Sequence, residues 1–137
     1  MPGHIGWKEK LTATKEAGYD GVELSVDESD ERLSRLDWSA VQRLDLLRAS
    51  RETGVRLPSL CLSGHRRYPL GSRDPETVRR GMAILEKAVR LAGDLGIRLI
   101  QLAGYDVYYE PSAPDTAARF AENLQHAVSI AAADGVT

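Results

Sequence analysis

The hydrophobic positions of this chain fall into one unit that recurs. An amphipathic segment closes on a small residue and a glycine, and a largely β-branched apolar run follows at once. The unit reads KEAGYDGVELSV, then RETGVRLPSLCLS, then GDLGIRLIQLA, then AAADGVT. Gly18, Gly54, Gly96 and Gly135 mark the junctions, 36, 42 and 39 residues apart. A glycine just past a helix end takes the left-handed cap at low steric cost. A strand starting within three residues is the short helix-to-strand connection of α/β proteins. Val78, Met82, Leu85, Val89, Ala92 and Leu95 step by four and three, which predicts one apolar stripe on a long helix. Ala117, Phe120, Leu124, Val128 and Ala131 predict the same for the last helix. Leu44 and Leu47 carry the helix after Ser39, and Trp7, Leu11 and Thr14 the first helix. Ser39 and Gln42 have capping-box spacing, Asp74 precedes a proline at the first helical position, and Asp115 is the expected cap of the last helix.

Strands alternating with helices at this spacing predict right-handed βαβ units and a parallel sheet. Three strands are expected, at residues 21–26, 55–63 and 97–103, with a fourth begun at Val136. Eight units of this length give roughly 310 residues, the size of a (β/α)8 barrel. The expected architecture is therefore α/β: the N-terminal half of such a barrel, without its first strand and its second half, as one partial domain over residues 1–137. The alternative is a complete flavodoxin-like open sheet. VELSVDES after the first expected strand carries no G-x-G-x-x-G phosphate loop.

Composition narrows the partners. Lys and Arg number 18 against 20 Asp and Glu, a net charge of −2, which disfavours a nucleic-acid backbone. Apolar residues at 42% and charged residues at 28% describe a folded domain. No apolar run approaches the ~20 residues of a membrane span, and the first residues carry no secretory pattern. The single cysteine, Cys61, excludes an intrachain disulfide framework and fits a reducing compartment, so a cytoplasmic location is expected.

Candidate chemistry lies where parallel α/β proteins put it, on the loops after the strands. These read VDESDERLSRLDW, GHRRYPLGSRD and GYDVYYEPSAPD, all longer than such connections usually are. Alternation puts Glu23, Ser25 and Asp27 on one face, then Ser59, Cys61, Ser63 and His65 if the chain stays extended, then Gln101 and Ala103. That polar face should line a barrel interior suited to a sugar-sized ligand. His65 at a strand end could polarise an oxygen, bind a metal or exchange a proton; it could equally be a hydrogen-bonded loop residue. His4 and His126 read as surface residues. Arg66 and Arg67 could grip a phosphate or carboxylate, or sit solvated. Glu23 could hold a hydroxyl or a cation, or pair with an arginine. The run Asp27 to Arg32 lacks EF-hand spacing and reads as a solvated loop. Tyr105, Tyr108 and Tyr109 suit a pocket wall or a subunit interface alike, and a homo-oligomer stays open. Cys61 has no C-x-x-C partner and reads as inert packing.

The stretches VELSVDESDERLSRLDWS, GVRLPSLCLSGHRRYPLGS and GIRLIQLAGYDVYYE resemble the sugar-phosphate epimerases that interconvert L-ribulose 5-phosphate and L-xylulose 5-phosphate at carbon 3. The resemblance runs from about Trp7 to Thr137. It implies a xylose-isomerase-like barrel working in bacterial L-ascorbate breakdown. It also implies a divalent metal that stabilises an enediolate while one group removes the carbon-3 proton and another returns it. In related barrels the metal ligands lie on later strands. The base, acid and ligand set are thus expected beyond Thr137, with no metal in this segment and the isolated segment inactive. The loops with Gly64 and His65, and with Gly104 and Tyr105, carry over as pocket lining. The substrate-binding candidates are His65, Arg66, Arg67, Glu23, Gly104 and Tyr105, and the expected partner is a small pentulose phosphate. Two competitors are an apurinic-site endonuclease-like enzyme, for which QLAGYDVYY lacks a second strand-end histidine, and a non-catalytic half-barrel binding module.

Overall fold

A computed structural model describes residues 5–137, so the expectation for His4 lies outside the described residues. The element order is α1 (Trp7–Glu16), β1 (Leu24–Val26), α2 (Asp30–Leu33), α3 (Ala40–Thr53), β2 (Leu60–Leu62), α4 (Pro75–Leu95), β3 (Ile100–Leu102) and α5 (Pro114–Ala133). Short 3-10 turns follow α2 at Ser34–Asp37 and β2 at Gly64–Arg66. The strands form one parallel sheet in the order β1-β2-β3. All four junction glycines take positive φ, between 67° and 87°, as their position after each helix requires.

The register sorts the side chains into two faces. Leu24, Leu60 and Ile100 are level, as are Val26, Leu62 and Leu102. These six join the core with Leu11 of α1, Leu46 and Ala49 of α3, and Leu85, Ala88, Val89 and Ala92 of α4. Leu62, at the centre, has no exposed surface. Between the two apolar rows, Ser25, Cys61 and Gln101 form a level row on the opposite, open face. Leu24, Leu62 and Ile100 thus lie under the helices, and Ser25, Cys61 and Gln101 hold the polar face that alternation predicts.

Several boundaries differ from expectation. The three strands are shorter than residues 21–26, 55–63 and 97–103. Before β1, Gly21 and Arg56 make only an isolated bridge, and Pro58 has no N–H to donate. Before β3, Ile97 N–H is spent on Ala92 O, closing α4 at 2.8 Å. No strand forms at Val136, where a fourth was expected to begin, although Ile100 N–H donates to Thr137 O and Thr137 N–H to Arg98 O, each at 2.8 Å. On α3 the buried pair is Leu46 and Ala49, while Leu44 is 41% exposed. On α5, Thr116 and Ala127 are buried and Val128 is 62% exposed, so the predicted stripe is rotated by about one residue. The cap of α5 is Ala113, not Asp115; Pro114 takes the first helical position, and the Thr116 hydroxyl accepts from Ala113 N–H at 2.8 Å.

Candidate functional site

The three long loops meet beyond the carboxyl ends of β1, β2 and β3. In the first, Asp27 Oδ1 accepts from the Ser29 N–H at 2.8 Å and the Ser29 hydroxyl at 2.5 Å. Burial opposes the charge, but those bonds hold the Asp27 carboxyl below its ordinary value. Arg35 anchors the loop from beneath. Its Nη1 donates to Ser25 O at 2.7 Å, and its guanidinium faces the Trp7 and Trp38 rings at 5.3 and 5.8 Å. Burial, with Arg32 nearby, pushes Arg35 down to about 10.

The second loop leaves the extended conformation at once. Ser63 has ψ of 7°, and the 3-10 turn that follows breaks the alternation. His65 therefore does not share the open face with Ser59 and Cys61. It is 5% exposed, and its Nε2 lies 2.9 Å from Gly81 O on α4. A carbonyl only accepts, so Nε2 carries the proton. Burial pushes the imidazole below its ordinary value, with the bond to Gly81 opposing. Glycine is required where this loop presses on its neighbours. A Cβ on Gly81 would lie 2.5 Å from Tyr68 O, and one on Gly71 would lie 2.5 Å from Asp106 O and 2.6 Å from Thr116 O.

The third loop is tied to both others. Gly71 N–H donates to Asp106 O at 2.9 Å, and the Asp106 carboxylate accepts from Thr116 and Ser112 hydroxyls. Arg73 reaches Glu110, Pro111 O and Asp115. The Tyr109 hydroxyl donates between the two Glu28 oxygens, 2.9 Å from each.

Arg66 and Tyr105 stand at the centre. The Arg66 guanidinium lies 5.4 Å from the Tyr108 ring, and the Tyr105 and Tyr108 rings are 5.1 Å apart. Arg66 Nε and the Tyr105 hydroxyl are both buried without a hydrogen-bond partner among the described residues. Burial pushes the Tyr105 phenol up, so it stays a neutral donor. Arg66 forms no ion pair among the described residues, whereas Arg67 donates to Asp30 at 2.7 Å and stacks on Tyr68. On the open face Glu23 Oε2 accepts from the Ser59 hydroxyl at 2.5 Å. Cys61 is half-buried there, not packed in the core, and burial raises its thiol. Gly104 is exposed, and the space where a Cβ would stand is open.

The structure thus brings Arg66 and Tyr105 together, places Glu23 on the open face, and turns Arg67 outward and His65 inward. Sequence reasoning missed Glu28, Gly71, Gly81, Asp106 and Thr116. Gly81 left a trace, a glycine inside an otherwise strong helical stripe, which commonly marks close approach. Among the described residues no group of three or more His, Cys, Asp or Glu side chains could hold a metal, so the divalent ion implied by the resemblance finds no ligand set here. No described helix is long and apolar enough to cross a membrane.

Residues 11–137 match the profile of the xylose isomerase-like TIM barrel family. L-ribulose-5-phosphate 3-epimerase UlaE of Salmonella heidelberg SL476 is 54% identical over the whole chain, which covers 48% of that protein. UlaE of Escherichia coli O157:H7 EC4115 is 53% identical with the same coverage. SgbU of Escherichia coli K12, provisionally named for the same activity, is 60% identical over 96% of the chain and 46% of its own length. The chain spans about half the length of these relatives. Among solved structures, an L-ribulose 3-epimerase superposes with a TM-score of 0.70 at 26% identity, covering 96% of this chain and 42% of the other. A D-psicose 3-epimerase gives 0.78 at 16% identity, covering 98% and 46%, a likeness of fold alone. The sheet, the half-length match and the profile agree: the chain is an α/β half-barrel that belongs to the xylose isomerase-like TIM barrel family.

Proposed function

We propose that this chain forms the substrate-gripping half of a cytoplasmic sugar-phosphate epimerase that interconverts L-ribulose 5-phosphate and L-xylulose 5-phosphate at carbon 3. The names of the relatives support the reaction. The observation that carries the reading for this chain is the Arg66–Tyr105 pair, in which the Arg66 Nε and the Tyr105 hydroxyl are buried without a hydrogen-bond partner among the described residues. A phosphate monoester brings ~1.5–2 negative charges near pH 7 and three acceptor oxygens. A guanidinium with no ion pair among the described residues and a neutral phenol beside it offer the complementary donors. Glu23, Ser25 and Gln101 then face the sugar hydroxyls from the open side of the sheet. Gly104 leaves room next to Tyr105, and Arg67 braces the turn through Asp30.

Epimerisation at carbon 3 needs the substrate held while a proton leaves one face of the carbon and another arrives on the opposite face. Arg66 and Tyr105 serve that step by fixing the charged end, so that carbon 3 does not rotate between the two transfers. No proton transfer is assigned to this chain, and none of its residues is given a metal.

Calorimetric titration with L-xylulose 5-phosphate and with unphosphorylated L-xylulose tests the reading. The phosphorylated sugar should bind more tightly. Arg66→Gln should weaken its binding by ~1.5–3 kcal/mol, about 10- to 150-fold, because a charged hydrogen bond is lost. Arg67→Gln should change it by less than about threefold, its partner being an exposed aspartate. Equal affinity for both sugars, or an Arg66→Gln protein that binds like the parent, would sink the reading.

A further inference from the structure

We propose that His65 is a positioning residue: its imidazole locks the turn that aims Arg66, and it acts on the ligand only through that arginine. This rests on the sugar-phosphate reading for the identity of the ligand but not for the lock itself. The lock is visible in the surroundings of the turn. His65 lies inside the 3-10 turn Gly64–Arg66, directly before Arg66 in the chain. Its Nε2–H donates to Gly81 O at 2.9 Å, which ties the turn to the N-terminal third of α4. The same glycine is pressed by Tyr68 O, so loop and helix meet there with no room for a side chain. The turn is also closed by Arg66 N–H donating to Ser63 O at 3.1 Å and Arg67 N–H to Gly64 O at 3.2 Å. Arg66 thus leaves a short turn in which the preceding side chain, His65, is fixed inward on α4.

That arrangement explains why adjacent residues meet different fates. In a 3-10 turn consecutive side chains diverge by about 120°. Fixing the imidazole inward on α4 therefore fixes where the next side chain leaves. Arg66 is held over Tyr108 with its Nε buried, and among the described residues no carboxylate pairs with it. Without the imidazole anchor the turn keeps its two local backbone bonds and the exposed Arg67–Asp30 tie, none of which reaches α4, and the guanidinium samples more directions before it meets an anion. Preorganisation of this kind is read as affinity.

The test uses the chain with two polar replacements and inorganic phosphate as the probe. Glutamine at position 65 can present its amide N–H near the place of Nε2; asparagine is too short to reach Gly81 O. In ligand-free protein, the Arg66 Nε–H resonance should be sharp and slow to exchange with water in the parent and in His65→Gln. It should broaden or vanish in His65→Asn. Phosphate binding, followed by titration of backbone shifts, should weaken about tenfold or more in His65→Asn and stay within about threefold of the parent in His65→Gln. An Arg66 signal unchanged in His65→Asn, or equal loss in both variants, would overturn the positioning role. So would failure of both variants to fold while Arg66→Gln folds, since the imidazole would then serve the fold alone. Absence of phosphate binding by the parent would sink the sugar-phosphate reading instead, and the Arg66 signal would still decide the lock.

Discussion

A buried imidazole with its proton on Nε2 makes the fold sensitive to mild acid. In the unfolded chain the ring titrates near its ordinary 6.5, while burial lowers the folded value. Below about pH 6.5 the unfolded state therefore binds more protons than the folded one, and stability falls with pH until the folded ring also titrates. Melting curves between pH 7.5 and 5 should show the parent losing stability in that window. His65→Gln should lose less, because it has nothing to protonate. A parallel decline in both proteins would assign the acid sensitivity to other groups. Arg66 and Arg67 are adjacent arginines whose fates no periodicity separates in the sequence, and neither was the direction of His65 written there. Alternation holds only while backbone stays extended, and it ended at Leu62. The open-face placement of Glu23 was readable from its alternation with Ser25, and the Ser59 hydroxyl just before β2 donates to it there.

Helices were the most readable elements. The Asp74–Pro75 start of α4 needed no tertiary knowledge: the Asp74 carboxylate accepts from Glu76 and Thr77 N–H, and Gly96 ends the helix in the left-handed conformation. The start of α5 misled because Thr116 serves the cap from three residues inside the helix, where Asp115 was the more familiar sign. The loops between the elements were unreadable in detail, since their order comes from each other. Gly71 is the clearest case. Its missing Cβ lets the second loop lie against two backbone carbonyls of the third loop and α5. Backbone cannot retreat as a side chain can, so Gly71→Ala should cost on the order of 2 kcal/mol. Thermal unfolding should register this as a melting point lower by several degrees. A melt indistinguishable from the parent would mean that the loops part easily.

In the whole molecule, stability should be graded across the sheet. β2 is central and its Leu60 and Leu62 are fully buried, whereas Ile100 and Leu102 on β3 are only half-buried. Beside β3 lies a groove of about 250 Å³ lined by Leu85, Val89, Ile100, Leu102, Leu124 and Val128. Amide hydrogen exchange should be slowest at Leu60 and Leu62 and faster at Ile100 and Leu102. Uniform protection across the three strands would contradict that gradient. The half-barrel was visible in the sequence from the recurring unit, because burial on one face of every strand imposes it. The mutual ties of the loops have a consequence for engineering. Glu28 meets Tyr109, Asp30 meets Arg67, and Gly71 meets Asp106, so each loop carries half of a lock whose other half lies on another. A single loop transplanted into a related barrel would arrive with orphaned donors and a glycine facing the wrong surface. The exchangeable cassette is the run from Asp27 through Thr116, and ligand preference should travel with that run as a block.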